Sequence, residues 1–192
     1  MEDTFDMHKP PDSWKIEGKQ WLVNGVTPKE ATTPQNLEFE SHLAAVEHMY
    51  AQKDMTREML VKLLILHKDR KKLDYAKVDC FADVKDANFG KYICYALDKG
   101  LVSGRNKTTF DPLTLVTRSE ALKMIFSINA IPVTRDLTRT SFNDTSKTDW
   151  FSPYVETAKT MGLLDDVKDT FRPEEKATTE FVLGILKKVE GK

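Results

Sequence analysis

The sequence predicts an all-α protein of three helix–loop–helix repeats, arranged pseudo-threefold around a central helical bundle. Arg57 and Arg118, Phe81 and Phe142, and Phe110 and Phe171 each stand 61 residues apart, so the same marks recur at one period. Thr56-Arg57 and Thr117-Arg118 each open a stretch whose apolar residues fall at helical spacing, Leu60, Val61, Leu64 and Ile65 in the first case. One helix–loop–helix unit cannot cover its own apolar face, whereas three can turn their long helices inward and share one core.

Residues 1–13 carry Pro10-Pro11 and few large apolar side chains, and read as a flexible lead-in. The first repeat, 14–71, is the least regular. Trp14 to Asn24 reads as its first helix, closed by Asn24-Gly25-Val26, and Thr27 to Asn36 as loop. Two helices then follow, Glu38 to Tyr50 and Thr56 to His67, where the other repeats show one. Either can fill the central role, and the Thr-Arg register favours the helix beginning at Thr56.

The second repeat, 72–130, is the clearest. Phe81-Ala82-Asp83-Val84 precedes a helix from Asn88 to Lys99 with Phe89, Tyr92, Ile93 and Ala96 on one face. Gly100 closes it and Leu101 is the apolar residue beyond the cap. Gly104 to Pro112 is a turn-rich loop anchored by Phe110. Thr117 with Glu120 three residues on forms a capping box, and the long helix follows to Asn129.

The third repeat, 131–192, keeps this order. Phe142-Asn143-Asp144 matches Phe81-Ala82-Asp83, and Trp150 begins a helix with Tyr154, Val155 and Ala158. Gly162-Leu163 ends it, Phe171-Arg172-Pro173 matches Phe110-Asp111-Pro112, and the last helix starts near Thr178-Thr179-Glu180. Asp165-Asp166 stands where the second repeat has its Ser103-Gly104 turn. Tyr92 and Tyr154 are 62 apart, which places a one-residue insertion in the first-helix region.

Bulk composition narrows the partners. Hydrophobic residues make up 40% and charged residues 31%, which suits a globular chain, and the net charge of −1 offers no basic field for nucleic acid or an anionic membrane. Thr56 to Leu66 is too short and too charged to span a bilayer. Met1-Glu2-Asp3-Thr4-Phe5-Asp6 is acidic and lacks the basic-then-apolar layout of a secretory signal. The expectation is a chain kept inside a cell, a segment of a processed or shortened protein, or export by another route. Cys80 and Cys94 read as ordinary thiols, because nothing else suggests a stapled scaffold.

Catalysis and metal binding find little support. His42 and His48 stand six residues apart on different faces of a helix, and no His-Glu-x-x-His pattern is present. Gly104-Arg105-Asn106-Lys107-Thr108 lacks the glycine before lysine, and the preceding strand, of a phosphate-binding loop. Asp144 and Asp149 lack the spaced ligands of a calcium loop and read as turn caps. His67-Lys68-Asp69-Arg70-Lys71-Lys72 reads as a solvated linker. Trp14, Trp21 and Trp150 can stack on sugar rings, though each also falls where a helix wants a large apolar side chain. No enzyme activity, metal or cofactor is expected.

The order Phe-x-Asp-Val, helix with Tyr and Ala, Gly-Leu-Val-x-Gly, Phe-x-Pro, Val-Thr-Arg-x-Glu resembles the S-layer homology domain. Phe81, Asp83, Val84, Tyr92, Ala96, Gly100, Leu101, Val102, Gly104, Phe110, Pro112, Thr117, Arg118 and Glu120 carry the match. The resemblance covers the second and third repeats strongly and the first weakly. It implies a three-pronged spindle with ligand grooves between prongs, a non-catalytic role, and a bacterial cell-surface location. It implies as ligand an acidic, often pyruvylated, cell-wall polysaccharide gripped by the arginine of the Thr-Arg-x-Glu motif. A guanidinium suits a carboxylate because it offers two parallel donors.

Arg118 is then the first ligand-binding candidate and Arg57 the second, with Asp83 and the Gly104 backbone lining the groove of Arg118. The purely structural alternatives are an arginine paired with a nearby carboxylate at a helix start, and an aspartate capping its turn. The third repeat has Thr179 where the arginine should stand, and the first has Met59 in place of the motif's glutamate. That erosion leaves a second expectation open: a protein–protein assembly module that kept the fold, such as a virion component of a phage of a Gram-positive host, located in the virion or cytoplasm.

Overall fold

The computed structural model describes residues 15–17, 20–22, 54–69 and 73–190. Five helices follow in order: α1 (Arg57–Asp69), α2 (Ala87–Asp98), α3 (Arg118–Ile128), α4 (Ser152–Thr160) and α5 (Thr179–Glu190). α1 packs on α2 and α3, and α3 packs on α4 and α5, so the helices form one compact bundle. Leu60, Val61, Leu63, Leu64, Ile65 and Leu66 of α1 and Ala121, Leu122, Ile125 and Phe126 of α3 lose essentially all exposure in a single core. The helix beginning after Thr56 therefore lies in the interior. The expected helix from Glu38 to Tyr50 and the loop from Thr27 to Asn36 lie outside the described residues.

One expected helix needs correction: within the stretch read as helix from Trp14 to Asn24, the described residues form two antiparallel strands, β1 (Lys15–Glu17) and β2 (Gln20–Leu22), paired Lys15↔Leu22, Ile16↔Trp21 and Glu17↔Gln20. Gly18-Lys19, a glycine-first pair between two short runs, is a hairpin signal in the sequence that a helical reading passes over.

Helix ends follow the local chemistry. Thr117 caps α3 in a full capping box, its Oγ1 accepting from Glu120 N while Glu120 Oε2 accepts from Thr117 N. Asp86 caps α2 by accepting from Asn88 N. α2, α3 and α4 all end in the same paired C-terminal bonds: Leu101 N to Ala96 O, Ile131 N to Phe126 O, and Leu163 N to Ala158 O. Each needs a left-handed residue, supplied by Gly100 (φ 68°), Ala130 (φ 54°) and Gly162 (φ 70°).

The three long helices begin from one knot of backbone. Met55 N donates to Ala177 O at 2.9 Å, Ala177 N to Val116 O at 2.9 Å, and Val116 N to Met55 O at 3.0 Å. The bonds close a triangle, and its three side chains are wholly buried. Each residue stands 61 from the next in sequence, and each lies two residues before the first residue of its helix.

A second correction concerns the cysteines, which form a disulfide rather than two free thiols, with Cα atoms 5.5 Å apart. A Cβ at Gly90 would lie 2.3 Å from Val78 O, so this glycine lets the segment before Cys80 run directly across α2. Cys94 is one turn beyond Gly90 on the same helix face, and the crossing chain delivers Cys80 to it. Sequence separation alone carries no such distance.

Two outcomes follow from these contacts. The disulfide closes a span of 14 residues, and its reduction is expected to cost about 3 kcal/mol by the loop-entropy model, read as a lower denaturation midpoint with reductant. Ala130→Gly should raise stability by about 0.5–1 kcal/mol in the same assay, because it relieves a left-handed alanine.

Candidate functional site

Helix starts leave backbone N–H groups without intrahelical partners, and here neighbouring repeats supply them. Arg57 N donates to Thr114 O at 3.0 Å and Glu58 N to Pro112 O at 3.0 Å, so the second repeat's loop caps α1. Arg118 N donates to Glu175 O at 2.8 Å and Ser119 N to Pro173 O at 3.1 Å, so the third repeat's loop caps α3.

Those loops are held by the Phe-x-Asp pairs. Asp83 accepts from Phe110 N (2.9 Å) and Asp111 N (2.7 Å), and Asp144 accepts from Phe171 N (2.8 Å) and Arg172 N (2.7 Å). The clamped residues Asp111 (φ 70°) and Arg172 (φ 58°) are left-handed without being glycine, a strain the carboxylates offset. Phe81 packs on Phe110 and Phe142 on Phe171, with ring centres 5.5 and 5.9 Å apart. Gly104 is required by space: a Cβ there would lie 2.4 Å from Asn106 O and 2.5 Å from the Phe81 ring.

The two arginines sit between these loops and the helix starts, in different states. Arg57 is saturated. Its Nε donates to Phe110 O at 3.0 Å and one terminal nitrogen to Ser103 O at 2.7 Å, while the other lies 3.9 Å from Met124 Sδ. Its guanidinium stacks 4.5 Å from the Phe110 ring centre. Arg118 lies over the Phe181 and Phe171 rings at 4.3 and 5.2 Å, with one terminal nitrogen 3.8 Å from Glu175. Its Nε is buried and has no hydrogen-bond partner. Burial lowers the pKa of both, for Arg57 with further help from Arg105 and for Arg118 against the pull of Glu175.

Asp83 and Gly104 stand in the loop that meets Arg57, Asp83 accepting from Phe110 N and Gly104 following Ser103, and both Phe110 O and Ser103 O accept from Arg57. Arg118 faces the third repeat, where Glu175, Arg172, Asp166 and Asp144 supply its electrostatic surroundings. The reason is the docking of each helix start on the following loop, which splits every motif between two grooves. Glu120 illustrates the split, because it turns back to Arg105 of its own repeat, 3.0 Å away.

Sequence reading passed over three cations beside these grooves. Arg105 is one. Lys62 is nearly fully buried, its Nζ 5.0 Å from the Phe89 ring centre and 5.7 Å from that of Tyr92. Burial and then Lys91 lower its pKa, outweighing Asp86 and Glu58. The third, Lys123, lies 5.5 Å from the exposed Trp150 ring. The 61-residue register that relates Lys62 to Lys123 was the signal that could have found the last two. Among the described residues, no group of three or more His, Cys, Asp or Glu is placed to hold a metal ion, and no helix is long and apolar enough to cross a membrane.

Repeats whose Phe-x-Asp clamps hold Phe-x-Pro loops against the neighbouring Thr-Arg helix start define a tandem-repeat module. Residues 81–122 and 141–178 match the S-layer homology domain. The chain is 32% identical over 107 residues to an S-layer protein of Bacillus thuringiensis subsp. finitimus, and equally to the S-layer protein sap of Bacillus anthracis. It is 27% identical over 106 residues to the exoglucanase XynX of Acetivibrio thermocellus. Each alignment covers 55% of this chain but only 13% of either S-layer protein and 10% of the exoglucanase.

The Asp83 clamp makes a prediction about acid stability. Burial opposes ionisation, but hydrogen bonds from Phe110 and Asp111 hold its pKa below the usual carboxylate value. A depressed folded pKa contributes stability that is complete above the unfolded value and lost as pH falls through the folded one. Asp83→Asn should therefore flatten the acid limb of the stability–pH curve, and Asp83→Ala should cost about 1–3 kcal/mol at neutral pH, both measured by denaturant titration.

Proposed function

We propose that this chain is a non-catalytic module that binds an acidic, often pyruvylated, polysaccharide of the bacterial cell wall. Three repeats, divided at 71/72 and 130/131, stand pseudo-threefold about the central helices in this reading. The hydrogen-bonded triangle of Met55, Val116 and Ala177 supports that arrangement, since its members keep one period. The likeness to two S-layer proteins supports the cell-surface setting. A disulfide also favours an oxidising location over the cytoplasm.

The single observation that carries the ligand assignment is the state of Arg118. It is a buried guanidinium with an unpartnered Nε and only a long contact to Glu175. A buried donor without a partner is costly, and a sugar carboxylate would supply the missing acceptor. Arg57 is the lesser candidate because its nitrogens already serve the protein. Asp83 and Gly104 contribute by shaping the loop beneath Arg57 rather than by touching the ligand of Arg118.

Arg118→Ala should abolish binding to purified wall polysaccharide while circular dichroism stays that of the wild type. Arg118→Lys should bind weakly, because a point charge lacks the two-pronged donor geometry. Wild-type affinity in Arg118→Ala would overturn the reading. One observation favours the rival role in protein assembly: the position of the third arginine is held by Thr179, which is fully buried. A stable oligomer in light scattering, together with no retention on sacculi, would decide for it.

A further inference from the structure

Glu175 serves α3 with its backbone and Arg118 with its side chain. Arg118 N donates to Glu175 O, and Arg57 N donates to Thr114 O in the same way at the start of α1. Thr114 and Glu175 stand 61 residues apart. Capping therefore needs a carbonyl at this register and asks nothing of the side chain. Where the loop that meets Arg57 carries a neutral threonine, the loop that meets Arg118 carries a carboxylate.

That carboxylate is shared between two arginines. Its Oε2 lies 3.1 Å from Arg172 Nε and 3.8 Å from a terminal nitrogen of Arg118, and its Oε1 accepts from Arg172 at 3.4 Å. The distance to Arg118 is too long for a hydrogen bond but short enough to balance its charge. After burial, which disfavours the charged arginine, Glu175 is the strongest influence on Arg118 and favours the charge. Glu175 thus neutralises Arg118 without filling its donors, since Nε stays buried and unpartnered. The side chains differ in access: Arg118 is 10% exposed, Glu175 45% and Arg172 61%. A ligand carboxylate bonded to the same terminal nitrogen at about 2.8 Å would lie within about 7 Å of Glu175 Oε2, closer than one Debye length. Two like charges would then compete for one guanidinium.

We propose that Glu175 is a gate on Arg118: it balances the guanidinium in the free protein and withdraws onto Arg172 when an anionic ligand takes the arginine. The inference rests on the polysaccharide reading and adds regulation to it, because entry becomes a competition with an internal carboxylate. A ligand must bring a full negative charge to replace Glu175, so a neutral sugar is turned away. Arg172 is the seat that makes withdrawal possible; without it Glu175 stays with Arg118.

The test measures binding of purified wall polysaccharide by calorimetry at one ionic strength, with thermal unfolding of every variant as control. Glu175→Gln keeps the shape and removes the charge, and should tighten binding about three- to fivefold, the range an exposed ion pair can supply. Glu174→Gln removes the same charge from the exposed residue next to it and should leave affinity unchanged. An equal gain there would reduce the effect to net charge and overturn the gate. Arg172→Gln should weaken binding by a similar factor, yet have no effect when made in Glu175→Gln. A loss that persists in that background would make Arg172 an independent contact and overturn the gate. If Arg118→Ala abolishes binding while Glu175→Gln binds like the wild type, the gate is overturned and the polysaccharide reading stands. If neither the wild type nor Glu175→Gln binds, both fall together.

Discussion

Everything in the bundle hangs on how three helices can start from one place. Each start brings several N–H groups that its own helix cannot satisfy, and burying them unpaired would cost more than the packing there returns. The chain solves this by exchange. Met55, Val116 and Ala177 pass hydrogen bonds around a closed triangle, and the loops ending in Pro112–Thr114 and Pro173–Glu175 cap the helices of the preceding repeat. No link of the triangle is complete without the other two segments. This makes the repeats interdependent in a way that a linear stack, whose units contact only their neighbours, is not.

The same exchange sets the surroundings of the two arginines. Because a helix start docks on the next loop, its arginine is delivered into that loop's carbonyls and rings. In the Arg57 groove the geometry closes fully: Phe110 O, Ser103 O and the Phe110 face occupy the guanidinium. In the Arg118 groove it does not close, and Nε is left buried without an acceptor. One visible difference between the two loops is Gly104 against Asp165. Gly104 is needed because any side chain would strike Asn106, Phe81 and Thr109, so a loop with aspartate at that place must take another course. The carbonyls that saturate Arg57 thus have no guaranteed counterparts at Arg118.

Much of this was legible in the sequence because it is local. A threonine with glutamate three residues on specifies a capping box, glycine after a helix specifies its end, and a period of 61 residues specifies a repeat. What the sequence hid was pairing across distance. It presents Thr117-Arg118-Ser119-Glu120 as one motif beside its own Phe110 loop, yet Arg118 and Glu120 point to different repeats. The contacts that tie the Asp83 and Gly104 loop to Arg57 are of that kind. The disulfide failed similarly: Cys80 and Cys94 meet only because Gly90 lets the chain cross α2 at close range. The strands at 15–17 and 20–22 were missed for a different reason: runs of three residues are too short to show a period.

The third repeat shows what the fold requires and what it does not. Its Phe142–Phe171 contact, its Asp144 clamp and its left-handed Arg172 all persist, so the parts that hold a loop against a helix start are intact. Thr178 still caps α5, accepting from Phe181 N at 3.2 Å. Both cationic positions have changed, to Thr179 and Gly184: Thr179 is accommodated fully buried, and open space surrounds the position of a Gly184 Cβ. In the first groove the arginine has been absorbed into the structure, with a protein contact for each nitrogen. In the second, Arg118 stacks on Phe171 and Phe181 and reaches Glu175, yet its buried Nε has no acceptor, a cost that the fold carries at this one helix start and avoids at the other.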